Sequence, residues 1–167
     1  MDSFSVVVGC RSGDTLFIFD EYLLTNSNTR EAMDIFVEDY PGREAIAFPD
    51  PSGRARKTSA VGGETDFTII RSYGIETVAP KKAPSIADSI NNVNTMMCNG
   101  KGERRVLIHP RCTHLIKCLD FWTYEEGANR PDKKAGYDHL PDAMRYLIWS
   151  EFRIGGGKTK QIKIKGF

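Results

Sequence analysis

The sequence has little cysteine: four residues among 167, at positions 10, 98, 112 and 118. So few and so scattered thiols do not make the disulfide framework of a small secreted protein, and we expect them to be reduced and mostly buried. No apolar run approaches the roughly 18 residues of a membrane span, and residues 1–9 lack the basic start and long apolar stretch of a signal peptide. These absences favour an intracellular protein with no membrane partner.

Neither sign of charge dominates, because 23 Lys and Arg stand against 22 Asp and Glu and leave a net charge of +1. Any nucleic-acid surface therefore requires basic residues concentrated on one face. Hydrophobic residues make up 40% of the chain and charged residues 27%, which is typical of a globular domain. We see no internal repeat and predict one domain over residues 1–157, followed by a short basic tail over 158–167.

Alternation of apolar and polar residues predicts two strands, 3–9 and 15–19, joined by a polar turn at 11–14. The second strand is apolar at each of positions 16–19, which predicts burial on both faces. Next come a helix opened by Asn28-Thr29 and stopped by Pro41-Gly42, a strand at 45–48 and a loop at 54–64. They are followed by a helix at 65–73, a strand at 76–79 and a helix from Pro84 or Ser85. The last predicted elements are a strand at 105–108, a helix ending near Phe121, a loop at 125–136 and a helix from about Asp138 through Phe152. This order predicts an α/β fold with a mixed central sheet and helices on both faces.

The first candidate site residue is Asp50, which follows the predicted strand 45–48 within Pro49-Asp50-Pro51-Ser52-Gly53. Ligands of open α/β sheets bind at the carboxyl ends of strands, so a functional carboxylate is expected there. The prolines and Gly53 also define a turn in which Asp has a purely structural use. Both interpretations stay open from the residues alone.

The second candidate site lies at the start of the last helix, where Asp138, His139 and Asp142 fall within five residues. Asp138 is also a suitable N-cap, and Asp142 can interact with the helix dipole and with Arg145 three residues later. Yet carboxylates and imidazole beside an apolar helix stripe are also ligands for a hard divalent metal. Two such ions bridged by carboxylates activate water and stabilise a departing alkoxide, which is the chemistry of phosphodiester hydrolysis.

Several segments together resemble the nuclease domains of tailed-phage terminase large subunits, over nearly the whole chain. They are residues 48–53, residues 137–146, Phe19-Asp20-Glu21-Tyr22, Asn28-Thr29-Arg30-Glu31 and Ile108-His109-Pro110-Arg111-Cys112. The resemblance implies a ribonuclease H-like fold and two-metal cleavage, with Mg²⁺ or Mn²⁺, of concatemeric double-stranded DNA during packaging. It further implies a phage-encoded protein of the host cytoplasm whose full-length motor contacts the portal and the terminase small subunit, with the isolated domain monomeric.

By the same resemblance Asp50 matches the carboxylate at the end of the central strand, and Asp142 the acid on the closing helix. His139 matches the residue that joins Asp142 at the metal in some members, so these three are the expected catalytic and metal-binding residues. Asp138 is a weaker match for a metal ligand. The family's first-strand Asp has no clear counterpart, since the chain begins at Met1-Asp2-Ser3. We therefore expect a weakly active or inactive fragment lacking that acid, unless Asp2 replaces it. Asp20 and Glu21 are expected to serve structure. The alternatives are a catalytically silent DNA-binding or motor-docking fragment and another ribonuclease H-like nuclease, such as a junction resolvase.

The predicted DNA contacts are basic residues in loops near these acids, where they would meet phosphates. They are Arg54, Arg56, Lys57, Lys133 and Lys134. The tail 158–167 is interpreted either as a lysine-protected edge strand or as a surface facing DNA or the portal.

Two further patterns are weaker. Residues 155–159 (Gly-Gly-Gly-Lys-Thr) lack the first glycine and the preceding strand of a phosphate-binding loop, so we predict no ATP site. His109, Cys112, His114 and Cys118 match no common zinc spacing, and their place at a strand end and on a helix face explains them adequately.

Overall fold

The computed structural model describes residues 3–55, 63–123 and 136–152, and Arg56, Lys57, Lys133, Lys134 and the tail 158–167 lie outside these ranges. Within them, none of the helices is long and apolar enough to cross a membrane. In chain order the elements are β1 (Ser3–Ser12), β2 (Thr15–Thr25), α1 (Thr29–Asp39), β3 (Ile46–Ala47), a short 3₁₀ helix (Pro51–Arg54), α2 (Asp66–Ser72), β4 (Glu76–Thr77), α3 (Ile86–Met97), β5 (Val106–Ile108), α4 (Thr113–Phe121) and α5 (His139–Glu151).

The strands form two sheets. β1 and β2 make an antiparallel hairpin, and β5 pairs with β2 in parallel, which gives a mixed sheet of order β1-β2-β5. β3 and β4 pair in parallel as a separate two-stranded sheet. The hairpin is longer than the sequence predicts, because its polar end continues the ladder up to a turn at Gly13, whose φ of 58° favours glycine.

Two apolar cores lie on opposite faces of β1. Val7 packs against the core that α3, α4 and α5 build around Leu16 and Ile18, whereas Val6 packs against the core that α1 and α2 build around Ala32 and Ile70. Successive side chains of a strand point to opposite faces, so one strand contributes to both cores. The predicted mixed α/β fold with helices on both faces is thereby confirmed.

The helix starts follow the capping residues that the sequence indicates. The Asn28 side chain accepts hydrogen bonds from the N–H groups of residues 30 and 31, and Ser85 accepts one from Asp88. The Thr65 hydroxyl accepts from Thr68 at the start of α2. These oxygens satisfy N–H groups that have no partner within the helix.

One prediction about β2 is wrong. Leu16 and Ile18 are buried, but Phe17 between them is 37% exposed, so the strand is not buried on both faces. Phe17 stands beside Leu107 of β5 in the parallel ladder, and Leu107 is 47% exposed. This outer face therefore carries apolar side chains that remain in contact with solvent.

Candidate functional site

Asp50 is positioned by the turn that follows β3. Its side-chain Oδ1 accepts a hydrogen bond from the Ser52 N–H at 2.8 Å, and its carbonyl accepts one from Gly53 at 2.9 Å. The backbone at Gly53 passes so close to Asp66 that an added Cβ would lie 2.9 Å from its Oδ2. Asp50 therefore has a structural use, because its carboxylate caps the 3₁₀ helix. The residue is also exposed, so the interpretation of Asp50 as a functional carboxylate stays open as well.

Arg54, predicted to contact DNA phosphates, makes contacts within the protein. Its Nη1 donates to the carbonyl of Pro80 at 2.6 Å and its Nη2 to that of Ala79 at 2.9 Å. The guanidinium also lies over the Phe67 ring, 4.5 Å from its centroid. These contacts join the turn after β3 to the segment after β4.

The opposite side of the site is the first turn of α5. Asp138 is 6% exposed and stands at the N-cap position, but its side chain makes no capping hydrogen bond; its carbonyl accepts from the Asp142 N–H at 2.8 Å instead. The His139 side chain is 45% exposed, with Nε2 4.0 Å from Asp138 Oδ1. Asp138 is thus the buried member of the predicted set, and His139 the most accessible on this helix.

Asp142 is held by a buried arginine. Arg145, only 5% exposed, donates from Nε to Asp142 Oδ1 at 3.0 Å and from Nη1 to the Ser89 hydroxyl on α3 at 2.8 Å. The arginine carbon Cζ lies 4.7 Å from the centroid of the Tyr146 ring. Because Ser89 is itself fully buried, Arg145 fixes the Asp142 carboxylate relative to the core between α3 and α5.

Tyr146 on α5 interacts electrostatically with Asp50 of the other predicted site. It follows Asp142 by one helical turn and so lies on the same side of α5. The pKa of Tyr146 is raised, mainly by burial and next by the charge of the nearby Asp50 carboxylate, with which its hydroxyl interacts. Sequence reasoning missed this role, although the i, i+4 spacing from Asp142 is a signal that could have indicated it.

The donor chemistry fits a lightly held divalent ion. Within residues 3–55, 63–123 and 136–152, no three His, Cys, Asp or Glu side chains lie together as a group that could hold a metal. Mg²⁺, however, commonly keeps several water ligands and takes only one or two protein carboxylates beside substrate phosphates. Asp50 and Asp142 supply two carboxylates, the number that such an ion takes from a protein, whereas a closed protein cage does not form among the described residues.

A second polar cluster surrounds Asp20 and Glu21 in the middle of β2. Glu21 accepts hydrogen bonds from the N–H groups of His114 and Leu115 at 2.8 and 2.7 Å, so it caps α4 from another element. Asp20 pairs with Arg111 at 2.7 Å and lies beside a surface cavity of about 380 Å³. Both carboxylates thus make hydrogen bonds or ion pairs with the segment around the start of α4. The four residues weighed as zinc ligands do not form a metal-holding group in the described ranges.

The comparisons with known proteins yield one solved structure. No family model matches the chain, and no match is found among the curated proteins. The nuclease domain of the P22 large terminase superposes with a TM-score of 0.59 over 86% of this chain and 79% of that chain, at 15% sequence identity. The chain therefore has the fold of a terminase nuclease domain, as the resemblance of its motifs predicted.

Proposed function

We propose that this chain is a divalent-metal-dependent endonuclease domain that cuts concatemeric double-stranded phage DNA during genome packaging. Two observations support the proposal: the fold is that of the P22 nuclease domain, and the charge of Asp50 acts on Tyr146, which lies one helical turn after Asp142. The proposal combines a likeness of fold with a local arrangement of carboxylates, since fold alone does not determine activity.

In this proposal Asp50 and Asp142 hold Mg²⁺ or Mn²⁺, with His139 and Asp138 as the further candidate ligands. The bound ions would supply an activated water and charge stabilisation for the leaving alkoxide. Arg145 keeps the Asp142 carboxylate in one orientation through its 3.0 Å hydrogen bond. Tyr146 keeps its proton at neutral pH, as an ordinary tyrosine does, and burial and Asp50 raise its pKa further, so its hydroxyl can donate toward Asp50.

The partners of the proposed enzyme are those that the resemblance implies. Double-stranded DNA is the substrate, with Arg56, Lys57, Lys133 and Lys134 as proposed phosphate contacts in loops next to the two acidic segments in sequence. Portal and small terminase subunit are proposed partners of the full-length motor in the host cytoplasm. We propose no ATP site in this chain and a monomeric state for the isolated domain.

The test is nicking and linearisation of a supercoiled plasmid with Mn²⁺, Mg²⁺ or chelator. Asp50→Asn and Asp142→Asn change one oxygen each, and Asp120→Asn on the exposed side of α4 is the matched control. Metal-dependent cutting is expected from the parent chain and from the control. A loss of at least about a hundredfold is expected for the two site variants, because the metal ions that these carboxylates would hold stabilise the negative charge that develops in the transition state. Cutting that survives both site substitutions refutes the assignment.

A second candidate function is a catalytically silent DNA-binding domain. The absence of a three-ligand group among the described residues favours it. It predicts that the parent chain binds duplex DNA but does not cut it with any metal.

A further inference from the structure

Two lysines, Lys81 and Lys82, follow β4 at the edge of the sheet that carries Asp50. β3 and β4 run parallel, and the Val78 N–H donates to the Ala47 carbonyl at 2.9 Å. Asp50 comes three residues after Ala47, and Lys81 three residues after Val78. Because parallel strands end at the same edge of a sheet, both segments leave the sheet side by side.

Arg54 holds these two segments together. Its hydrogen bonds to the carbonyls of Ala79 and Pro80 end one residue before Lys81, and its own 3₁₀ helix begins directly after Asp50. Two guanidinium nitrogens are used in this contact, and the guanidinium face lies over Phe67. Arg54 is therefore a clamp that keeps the lysines next to the Asp50 turn.

The lysines bring positive charge that the described protein does not neutralise. Both are exposed, and neither has an ion pair with a carboxylate within the described ranges. Arg71 adds a further cation nearby: its Nε donates to Thr77 at the end of β4, and its guanidinium lies 5.9 Å from the Phe67 centroid. The edge that bears the candidate acid Asp50 is thus also a basic edge.

We infer that Lys81 and Lys82 form a binding site for the phosphate backbone of the duplex that is cut at Asp50 and Asp142. This inference rests on the proposed function and names residues through which its substrate is held. Lysine ammonium groups on flexible stems act as point charges and suit backbone phosphates, not base edges. The contact is therefore independent of sequence and weakens with salt.

The test measures how the affinity for a labelled duplex depends on salt, by fluorescence anisotropy in chelator so that binding is separated from cleavage. Each phosphate contact contributes about 0.9 to the slope of log K against log salt, so Lys81→Gln with Lys82→Gln should lower the slope by about 1.8. At about 0.1 M salt the affinity should fall by at least about tenfold. The matched control is Lys101→Gln with Lys117→Gln, which removes two exposed lysines elsewhere and should leave the slope unchanged.

Each outcome decides the inference. A slope of the double variant within about 0.5 of the parent's overturns it, and so does an equal loss in the control pair, which would reveal an effect of net charge. Plasmid cutting measured in parallel keeps the two claims apart: a parent that cuts DNA while the variant keeps its slope refutes only the lysine site. A parent that neither binds nor cuts DNA refutes both. Thermal unfolding of each variant is expected to match the parent, because all four side chains are exposed.

Discussion

Replacing Arg145 with methionine is expected to destabilise the fold and to disturb the candidate site together. Methionine keeps much of the apolar stem but removes the hydrogen bonds to Asp142 and to Ser89. The arginine is 5% exposed, and the side chain of its carboxylate partner is 26% exposed. The substitution therefore leaves a partly buried carboxylate without this cation and a fully buried hydroxyl without this donor.

Removing one partner of a buried ion pair costs about 3–5 kcal/mol, and the partial exposure of Asp142 indicates the lower end, about 3 kcal/mol. For a domain of this size that corresponds to a fall in Tm of about 6–12 °C. Adding Asp142→Asn to Arg145→Met removes the charge that lost its partner, so the double variant should recover about 1–2 kcal/mol relative to the sum of the single effects.

Urea unfolding followed by circular dichroism measures these free energies, with Arg104→Met as the control because that arginine is exposed. Arg145→Met should also bind Mn²⁺ about 10- to 100-fold more weakly, measured by titration calorimetry, because groups that hydrogen-bond a metal ligand set its orientation. If Arg145→Met lies within about 1 kcal/mol of the parent, or if the two single effects add within about 0.5 kcal/mol, Arg145 does not support Asp142 energetically.

Three further expectations concern residues away from the proposed metal site. Glu21→Ala should lower the free energy of unfolding in urea by about 2–3 kcal/mol, because α4 loses two backbone hydrogen bonds to a carboxylate whose side chain is only 7% exposed. Glu38→Ala, at an exposed position, is the control, and equal effects of the two substitutions would contradict the capping role of Glu21. Gly9→Ala should lower the free energy of unfolding by about 1–3 kcal/mol, since the added Cβ would lie 2.8 Å from a backbone oxygen of β2. The control is Gly100→Ala, whose Cβ meets nothing within 4 Å and should leave stability unchanged. Similar Tm values for the two variants would rule out the clash at Gly9. Burial and a hydrogen bond to a carboxylate raise the pKa of Tyr40 to about 12, so its contribution to stability is present below pH 10 and is lost as the pH rises toward 12. Tyr40→Phe should therefore lessen the loss of unfolding free energy between pH 10 and 12, and an unchanged loss would disprove it.

Local chemistry made the helix boundaries predictable, whereas contacts distant in sequence decided the rest. Asn28 and Ser85 start their helices as predicted, because a cap is satisfied by the next few residues. The exposure of Phe17 was not predictable, since it depends on which elements cover each face of the finished sheet.

The candidate site shows the same division. Asp50 and Asp142 were predicted from their motifs. The electrostatic interaction of Asp50 with Tyr146, in contrast, joins residues that lie far apart in the chain. Arg54 was predicted to contact phosphates from its charge and its loop position; its hydrogen-bond acceptors come from the segment after β4, which no local pattern reveals. Charge indicated that a basic edge was possible, and tertiary structure determined which cations form it.

The two cores on either side of β1 allow the candidate site to open before the whole domain unfolds. Ala47 packs with the core of α1 and α2, while Phe48, the next residue, packs with the core of α5. The turn bearing Asp50 thus begins where the chain passes from one apolar core to the other, and Asp142 lies on the helix α5 that belongs to the second core. Partial opening along this boundary would move Asp50 relative to Asp142 while each core stayed folded, so amide hydrogen exchange in α5 and in the Asp50 turn should rise before global unfolding occurs.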